Sequence, residues 1–364
     1  MAPLSARGLP GRWCNHHLPS SCGYPLRNHR VWVTQRLTSR CRRIRLRCTT
    51  DRSGGVEWCG VIASSTFTPP HDKTIKLEII SQKSANDDAG RKGVQIVLVH
   101  GSYHGAWCWK DTFMPYLSAR GFDVCALSLR GHGTSTVPVD EETGERAKVA
   151  GSLQTHADDV RTFLESLGDD KQVVVVGHSF GGLIVQQVLA DQSTNGGPSN
   201  VVGAVLACSV PPSGNQAMVG RIFKAAPWLS VKITYAMITD AFKKDANLMQ
   251  DIFFRGPGSL PDTESLRILE RLQEVQIRML DVAALPNDLP VKTPKSAASG
   301  NWPPVLVLGA EQDSIVDSDG LRETADAFCT APLTLAGIGH DVMLDAGWET
   351  AAEATADFIT KRTV

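Results

Sequence analysis

Short apolar runs alternate with amphipathic stretches along the chain from about residue 74 onward. The apolar runs are rich in β-branched residues and end in glycine or polar turns, which predicts strands buried on both faces of a sheet. These runs are TIKLEII (74–80), VQIVLVH (94–100), FDVCALSL (122–129), VVVVGHS (173–179), VVGAVLACS (201–209), VLVLGA (305–310) and LTLAGI (333–338).

Helical spacing occupies the segments between these runs. Residues 152–167 place Leu153, Ala157, Val160, Leu164 and Leu167 on one face, and Gly168 can end the helix. Further helices are predicted over WKDTFMPYLSAR (109–120), from Leu183 to Leu189, and over about 348–360 with Trp348, Ala351, Ala354 and Phe358 on one side. Alternating strands and helices predict a mostly parallel sheet covered on both faces. The active site of such a sheet lies at the carboxyl ends of its strands.

One segment of about ninety residues, between Ser209 and Val305, interrupts this alternation. We predict a helical cap there, returning to the sheet through the proline-rich linker at 286–304. We expect its apolar side chains to be shared between a pocket over the active site and the cap's own core, and the pattern does not give the proportions. These side chains are Phe223, Trp228, Phe242, Phe253, Phe254, Met218, Met237, Met249 and Met279.

The amino-terminal residues differ in charge from the rest of the chain. Residues 1–50 contain ten Arg and no Lys, Asp or Glu, and residues 1–65 hold 11 of the 37 basic but only 2 of the 38 acidic residues. We predict an organelle-targeting presequence over 1–65, with a disordered basic arm as the alternative. The remaining chain has a net charge of −10, which argues against a nucleic-acid partner. No apolar run approaches the length of a membrane span, so we expect no stable membrane insertion.

The stretch VVVVGHSFGG (173–182) carries the clearest chemical signal. Gly-x-Ser-x-Gly between a strand and a helix is the nucleophile elbow, which makes Ser179 the candidate nucleophile rather than an ordinary turn serine. A serine needs a base to take its proton, usually a histidine held by a carboxylate. In this arrangement the partners follow in the order Ser, acid, His. His340 is the only histidine after Ser179, so it is predicted to be the general base.

The acid should follow the strand at 305–310. Asp313 is our choice, Asp317 is the second candidate, and Glu311 lies too close to the strand end. The oxyanion needs two backbone donors. We predict the N–H of Phe180 and, where Gly101 lets the backbone approach, the N–H of Ser102, with Tyr103 as the alternative.

The other histidines receive less specific predictions. His100 and His178 are interpreted as structural, His132 as bracing its loop and His156 as a surface residue. His104 either lines the pocket or is structural. No cysteine, histidine or carboxylate cluster has metal-ligand spacing, and no glycine-rich turn has phosphate-loop spacing, so no metal and no cofactor is expected.

Five motifs in this order resemble the α/β-hydrolase superfamily over about 94–361: HGSYHGAWCW, LSLRGHG, GHSFGG, GAEQDSIV and GIGHD. The resemblance implies the α/β-hydrolase fold, with a mostly parallel eight-stranded sheet, helices on both faces and a helical cap insertion. The core would comprise 66–210 and 303–364, and the cap and linker 211–302. HGSYHGAWCW resembles the plant methylesterase and hydroxynitrile-lyase branch. That branch has plastid-targeted relatives, which favours the chloroplast over the mitochondrion for the presequence.

Two departures from the family narrow the expected activity. Hydroxynitrile lyases of that branch carry Thr where Gly101 stands and Lys where Asp341 stands, which weakens the lyase interpretation. A serine at the elbow excludes the epoxide hydrolases and haloalkane dehalogenases, which need Asp there. We therefore predict a serine hydrolase that cleaves a small or medium carboxylic ester through an acyl-enzyme. A ligand receptor or scaffold with a slow triad, a C–C hydrolase, an acyltransferase and a hydroxynitrile lyase remain alternatives, and the oligomeric state is open.

Overall fold

The structure is a computed structural model that describes residues 62–84, 94–140, 142–195, 198–281, 284–293 and 302–363, together with the backbone of three strands within 30–58. Most of the predicted presequence, 1–65, lies outside the described residues.

The strands of the described residues follow one another in chain order. They are β1 (Arg30–Leu37), β2 (Arg40–Thr50), β3 (Val56–Trp58), β4 (Ile62–Phe67), β5 (Leu77–Gln82), β6 (Val94–Val99), β7 (Asp123–Leu127), β8 (Val149–Gly151), β9 (Gln172–His178), β10 (Val201–Ala207), β11 (Arg278–Leu280), β12 (Val305–Ala310) and β13 (Pro332–Leu335).

The helices are numbered in the same way. They are α1 (Trp107–Lys110), α2 (Phe113–Ala119), α3 (Leu153–Ser166), α4 (Phe180–Asn195), α5 (Gln216–Ala225), α6 (Pro227–Thr239), α7 (Ala246–Phe253), α8 (Asp262–Gln273), α9 (Leu285–Asp288), α10 (Ser318–Ala327) and α11 (Trp348–Thr363), with a 3₁₀ turn at Ala241–Lys243.

The central sheet has the order β4-β5-β7-β6-β9-β10-β12-β13, and β4 continues it into β2, which also pairs with β1 and β3. From β7 to β13 all neighbours are parallel, whereas β5 is antiparallel to β4 and β7. The predicted mostly parallel, eight-stranded sheet is therefore confirmed. The strands β6, β9, β10, β12 and β13 point the same way, so the loops that follow them meet at one edge.

Alternate residues of the central strands supply two separate cores. In β6, Ile96 and Leu98 face one core with α2 and α11, while Val97 and Val99 face the other with α3 and α4. Because side chains alternate along a strand, an uninterrupted apolar run covers both faces at once. On α3 the predicted face is confirmed: Leu153, Ala157, Val160 and Leu164 are buried, and Leu167 is half-buried.

The structure differs from the predicted elements at several places. The helix predicted over 109–120 is two helices, because Pro115 cannot donate to the carbonyl of Asp111 and its ring would clash with that group. In helix α11 the predicted side packs against the core, with Ala351 buried and the other three half-buried, but the helix also buries Ala352, Thr355 and Ile359, which the prediction did not include. Helix α10 and the small parallel pair β8–β11 were not predicted at all.

The segment predicted to form the cap contains helices α5 to α9. Its apolar side chains divide in a way that the pattern did not show. Phe242, Phe253 and Phe254 are buried, but Phe223 and Trp228 are exposed, Trp228 at 85% of its surface. Within the described residues, no helix combines the length and the apolar character that crossing a membrane requires.

Candidate active site

Ser179 occupies the sharp turn between β9 and α4. Its φ of +55° lies in the left-handed region, which costs a non-glycine residue about 1 kcal/mol or more. The strained turn is held on both sides: Ser179 N–H donates to Ala207 O (3.1 Å), and Ser179 O accepts from Gly182 N–H (3.0 Å) and Val210 N–H (3.2 Å). The side chain is buried, with 7% of the residue exposed.

The glycines around Ser179 are required by close backbone contacts. A Cβ on Gly177 would lie 2.6 Å from Gly181 O, and a Cβ on Gly181 would lie 2.3 Å from His100 O. A Cβ on Gly182 would lie 2.3 Å from Ser209 Oγ. These distances are below van der Waals contact, so the turn can form only where glycine leaves room for the neighbouring backbone.

His340 and Asp313 lie side by side at the same edge of the sheet. His340 Nδ1 donates to Asp313 Oδ1 (2.9 Å) and Oδ2 (2.8 Å), and both side chains are almost completely buried. Asp313 also accepts from the backbone N–H groups of Ile315 and Val316, each at 2.8 Å. Burial opposes a charged ring, yet the carboxylate of Asp313 outweighs it and raises the pKa of His340, with Asp341 adding to the effect.

The alternative acids have other partners. Asp317 caps α10 by accepting from Gly320 N–H (2.8 Å) and pairs with Arg221 at 2.6 Å. Glu311 accepts from Gly337 N–H (2.9 Å) on the exposed side of the loop. Of the three carboxylates after β12, the structure thus brings Asp313 to His340.

The loop after β6 lies directly against the elbow. A Cβ on Gly101 would be 2.8 Å from Ser179 Cβ, so this loop reaches Ser179 as closely as glycine permits. Ser102 and Tyr103 follow, with Tyr103 at a φ of +67°. Within the described chain the backbone N–H groups of Ser102, Tyr103 and Phe180 donate to no protein acceptor, which leaves them available to a ligand.

Ser179 and His340 come near each other without a direct bond. His178, the residue before Ser179, donates from Nε2 to His340 O (3.0 Å), and the two imidazole rings lie 4.8 Å apart. No hydrogen bond within the described residues joins Ser179 Oγ to the His340 ring. The arrangement therefore brings two of the three predicted catalytic side chains into contact, and Ser179 directly follows His178, whose ring contacts His340.

Sequence reasoning misjudged one of the remaining histidines and did not identify the partner of another. His156 was predicted at the surface but is fully buried, and its Nε2 donates to Met279 O (2.8 Å). His104 lies 3.0 Å from Asp341, and both side chains are buried. Both loops, GIGHD and HGSYHG, follow strand ends and were expected at one edge of the sheet, but nothing in the sequence paired His104 with Asp341.

Candidate metal ligands also come together in ways that spacing did not indicate. One group contains His178, His340 and Asp341, and another contains Cys208, Asp313 and His340, with donor atoms within 4.8 Å of one another. His340 Nδ1 is already bound to Asp313. Burial and the neighbouring Asp313 raise the pKa of the Cys208 thiol far above its usual range, so the thiolate that a metal needs is disfavoured.

The loops that carry Asp313 and His340 are tied to the cap. Ser314 Oγ donates to Ile252 O (2.6 Å), and Asp341 N–H donates to Phe253 O (2.9 Å). Both acceptors belong to the last turn of α7, where helix carbonyls lack partners of their own. The cap is thus bonded to the loops of the site and does not merely lie over them.

A groove of about 640 Å³ lies elsewhere, between α5 and α6. Val219, Phe223, Tyr235 and Ile238 line it, and Ser179, Asp313 and His340 do not. This groove is therefore separate from the three candidate catalytic residues.

Comparison with known proteins gives a consistent set of similarities. A family model described as "Alpha/beta hydrolase family" matches residues 96–357. "Putative methylesterase 13, chloroplastic" of Arabidopsis thaliana is 36% identical over 120 residues, 33% of this chain and 25% of its own length. "Carbendazim hydrolyzing esterase" of Nocardioides sp. (strain SG-4G) is 33% identical over 159 residues, 43% of this chain and 59% of its own length. The alignments thus span less than two thirds of either relative.

Solved structures agree on the fold. A thermophilic esterase from Thermogutta terrifontis superimposes with a TM-score of 0.53 at 17% identity, covering 83% of this chain and 100% of that chain. At this identity the similarity supports the architecture alone, since one fold hosts many activities.

Proposed function

The chain belongs to the alpha/beta hydrolase family, and on that premise we propose that it is a serine hydrolase that cleaves a small or medium carboxylic ester through an acyl-enzyme. The observation that carries the proposal is the buried contact between His340 Nδ1 and Asp313 at 2.8 Å. It lies beside a serine in the strained turn of a nucleophile elbow. The esterase names of the partly aligned relatives support an ester substrate.

In the proposed reaction, Ser179 Oγ attacks the ester carbonyl carbon while His340 Nε2 takes its proton. Asp313 holds the ring with Nδ1 protonated, so Nε2 presents its lone pair to the serine, and it stabilises the imidazolium that forms. The backbone N–H groups of Ser102 and Phe180 receive the oxyanion. His340 then gives its proton to the departing alcohol, and a water activated by the same ring releases the carboxylic acid.

Replacement of Ser179 tests this proposal. Ser179→Ala should lower turnover of 4-nitrophenyl acetate by about 10³-fold or more, and should abolish labelling by a fluorophosphonate probe. Ser118→Ala is the matched control, because Ser118, in α2, is also buried but its hydroxyl donates to the backbone carbonyl of Lys83 (2.7 Å). It should keep full turnover. Near-normal turnover by Ser179→Ala would overturn the mechanism, and wild-type protein inert to the probe would favour a receptor or scaffold.

We also propose that residues 1–65 direct the protein to the chloroplast, on the strength of their arginine-rich, acid-poor composition. A relative described as chloroplastic supports the choice of organelle. A fusion of residues 1–65 to a fluorescent protein should enter plastids. Accumulation in mitochondria would favour that organelle instead, and a diffuse cellular signal would contradict any targeting role for residues 1–65.

A further inference from the structure

Hydrogen-bond partners reveal the protonation state of most buried histidines. His100 Nδ1 donates to Gly101 O (2.7 Å) and its Nε2 accepts from Leu129 N–H (2.9 Å), which requires a neutral ring. Burial lowers the pKa of His178 to about 3 and that of His132 to about 4, so these rings are also neutral. Each therefore has one N–H, directed at a backbone carbonyl.

His104 differs because both of its ring nitrogens face acceptors. Nδ1 lies 2.8 Å from Ser102 O, and Nε2 lies 3.0 Å from Asp341 Oδ2. A carbonyl and an ionised carboxylate can only accept, so both nitrogens can donate to these oxygens only if the ring carries a proton on each. The Nε2 contact is not aligned as a linear hydrogen bond but lies at the distance of an ion pair. Trp107 stacks on the ring, at 5.4 Å between centroids and 27° between planes, as an aromatic ring does over a cation.

Asp341 places this pair beside His340, the proposed general base. Its carboxylate is fully buried and lies within 4.8 Å of ring nitrogens of His178 and His340. Burial opposes the charge, but His104 outweighs it, and the pKa of Asp341 is lowered. A buried carboxylate without a partner is strongly destabilising, and of the three histidines around Asp341, His104 at 3.0 Å contributes most to keeping its negative charge beside His340.

We propose that His104 and Asp341 are positioning residues that lock two loops of the active site together. His104 holds the carbonyl of Ser102, whose own N–H is the proposed oxyanion donor. Asp341 directly follows the proposed base, His340. One buried ion pair then fixes the distance between the oxyanion donor and the base. The inference rests on the proposed function, since it concerns Ser102 and His340 in those roles.

His132 offers a matched control. Its Nδ1 contacts the carbonyl two residues earlier, Arg130 O, at the same 2.8 Å, and it is also completely buried. In the described part of the chain its Nε2 faces no partner. An asparagine at position 104 or 132 can still donate a hydrogen bond to the carbonyl two residues earlier, but its side chain is too short to reach a carboxylate on another loop. The two replacements therefore remove the same ring, and only one of them breaks an ion pair.

The experiment measures kcat and KM for 4-nitrophenyl acetate in His104→Asn, Asp341→Asn, the double variant and His132→Asn. Each single variant of the pair should lower kcat about 10- to 100-fold, since a misplacement of about 1 Å costs about that much, with KM within about threefold. The double variant should be no slower than the slower single, because it leaves no unpaired charge. His132→Asn should keep kcat within about threefold. In ¹⁵N spectra, His104 should have both ring nitrogens protonated in the wild type and one in Asp341→Asn.

Three results would overturn the inference: an equal loss of kcat in His132→Asn, single losses that multiply in the double variant, or a singly protonated His104 in the wild type. If His104→Asn does not fold, Asp341→Asn, which is nearly isosteric, carries the test. Wild-type protein that neither turns over esters nor reacts with fluorophosphonate refutes the proposed function instead. An active wild type whose Asp341→Asn variant retains full kcat refutes this inference alone.

Discussion

The contact between Gly181 and the loop after β6 allows a quantitative prediction. A Cβ on Gly181 would lie 2.3 Å from His100 O and 2.8 Å from Val99 O. Both oxygens belong to backbone, so no flexible side chain can absorb the overlap. In Gly181→Ala the end of β6 must move away from α4 by about 1 Å to restore ordinary contact.

That movement displaces the predicted oxyanion donor, because Ser102 is two residues beyond His100. A shift of about 1 Å at a reacting centre costs about 10²-fold in rate, and loss of one oxyanion donor costs about 10²- to 10³-fold. We therefore expect kcat of Gly181→Ala to fall about 10²-fold, or about 3 kcal/mol of barrier. The overpacking itself should destabilise the fold by about 1–3 kcal/mol.

The assay is turnover of 4-nitrophenyl acetate together with fluorophosphonate labelling and thermal unfolding. Gly220→Ala is the control, since nothing lies within 4 Å of a Cβ added there in α5. It should keep kcat and gain up to about 1 kcal/mol of stability, as alanine does in an unstrained helix. A folded Gly181→Ala variant with kcat within about threefold of the wild type would refute the link between this glycine and the oxyanion donor.

Two further predictions concern the carboxylates after β12. Because Asp313 raises the pKa of His340 above its ordinary 6.5, kcat/KM should rise with pH through an apparent pKa above 6.5, as the ring loses its proton. Asp313→Asn removes the charge that favours the imidazolium, so it should shift the rise of kcat/KM to lower pH and reduce kcat by about 10⁴-fold. If the rise stayed at the same pH, the titrating group would not be His340. Asp317→Ala should leave kcat intact but lower the free energy of unfolding by about 1 kcal/mol through the loss of the α10 cap, measured by denaturant titration. A large loss of kcat there would favour Asp317 as the acid.

The positions of most strands and helices could be predicted from the sequence, because they depend on the hydrophobic pattern of neighbouring residues. The runs at 94–100 and 173–179 are almost entirely apolar, since both faces of a parallel strand are buried, and the structure has strands β6 and β9 there. The helix break at Thr112 was predictable in principle from Pro115. Burial of His156 was not, because it depends on the Met279 carbonyl from the distant cap.

The chain order by itself identified Ser179, Asp313 and His340 as candidates, because a parallel sheet places the ends of its strands at one edge whatever lies between them. The sequence already favoured Asp313 over Asp317, and the structure adds that Asp313 is the carboxylate in contact with the His340 ring. The contact of His104 with Asp341 needed the structure. An ion pair between two loops leaves no periodicity in the sequence, because the sheet and the cap, rather than the neighbouring residues, set the distance between its charges.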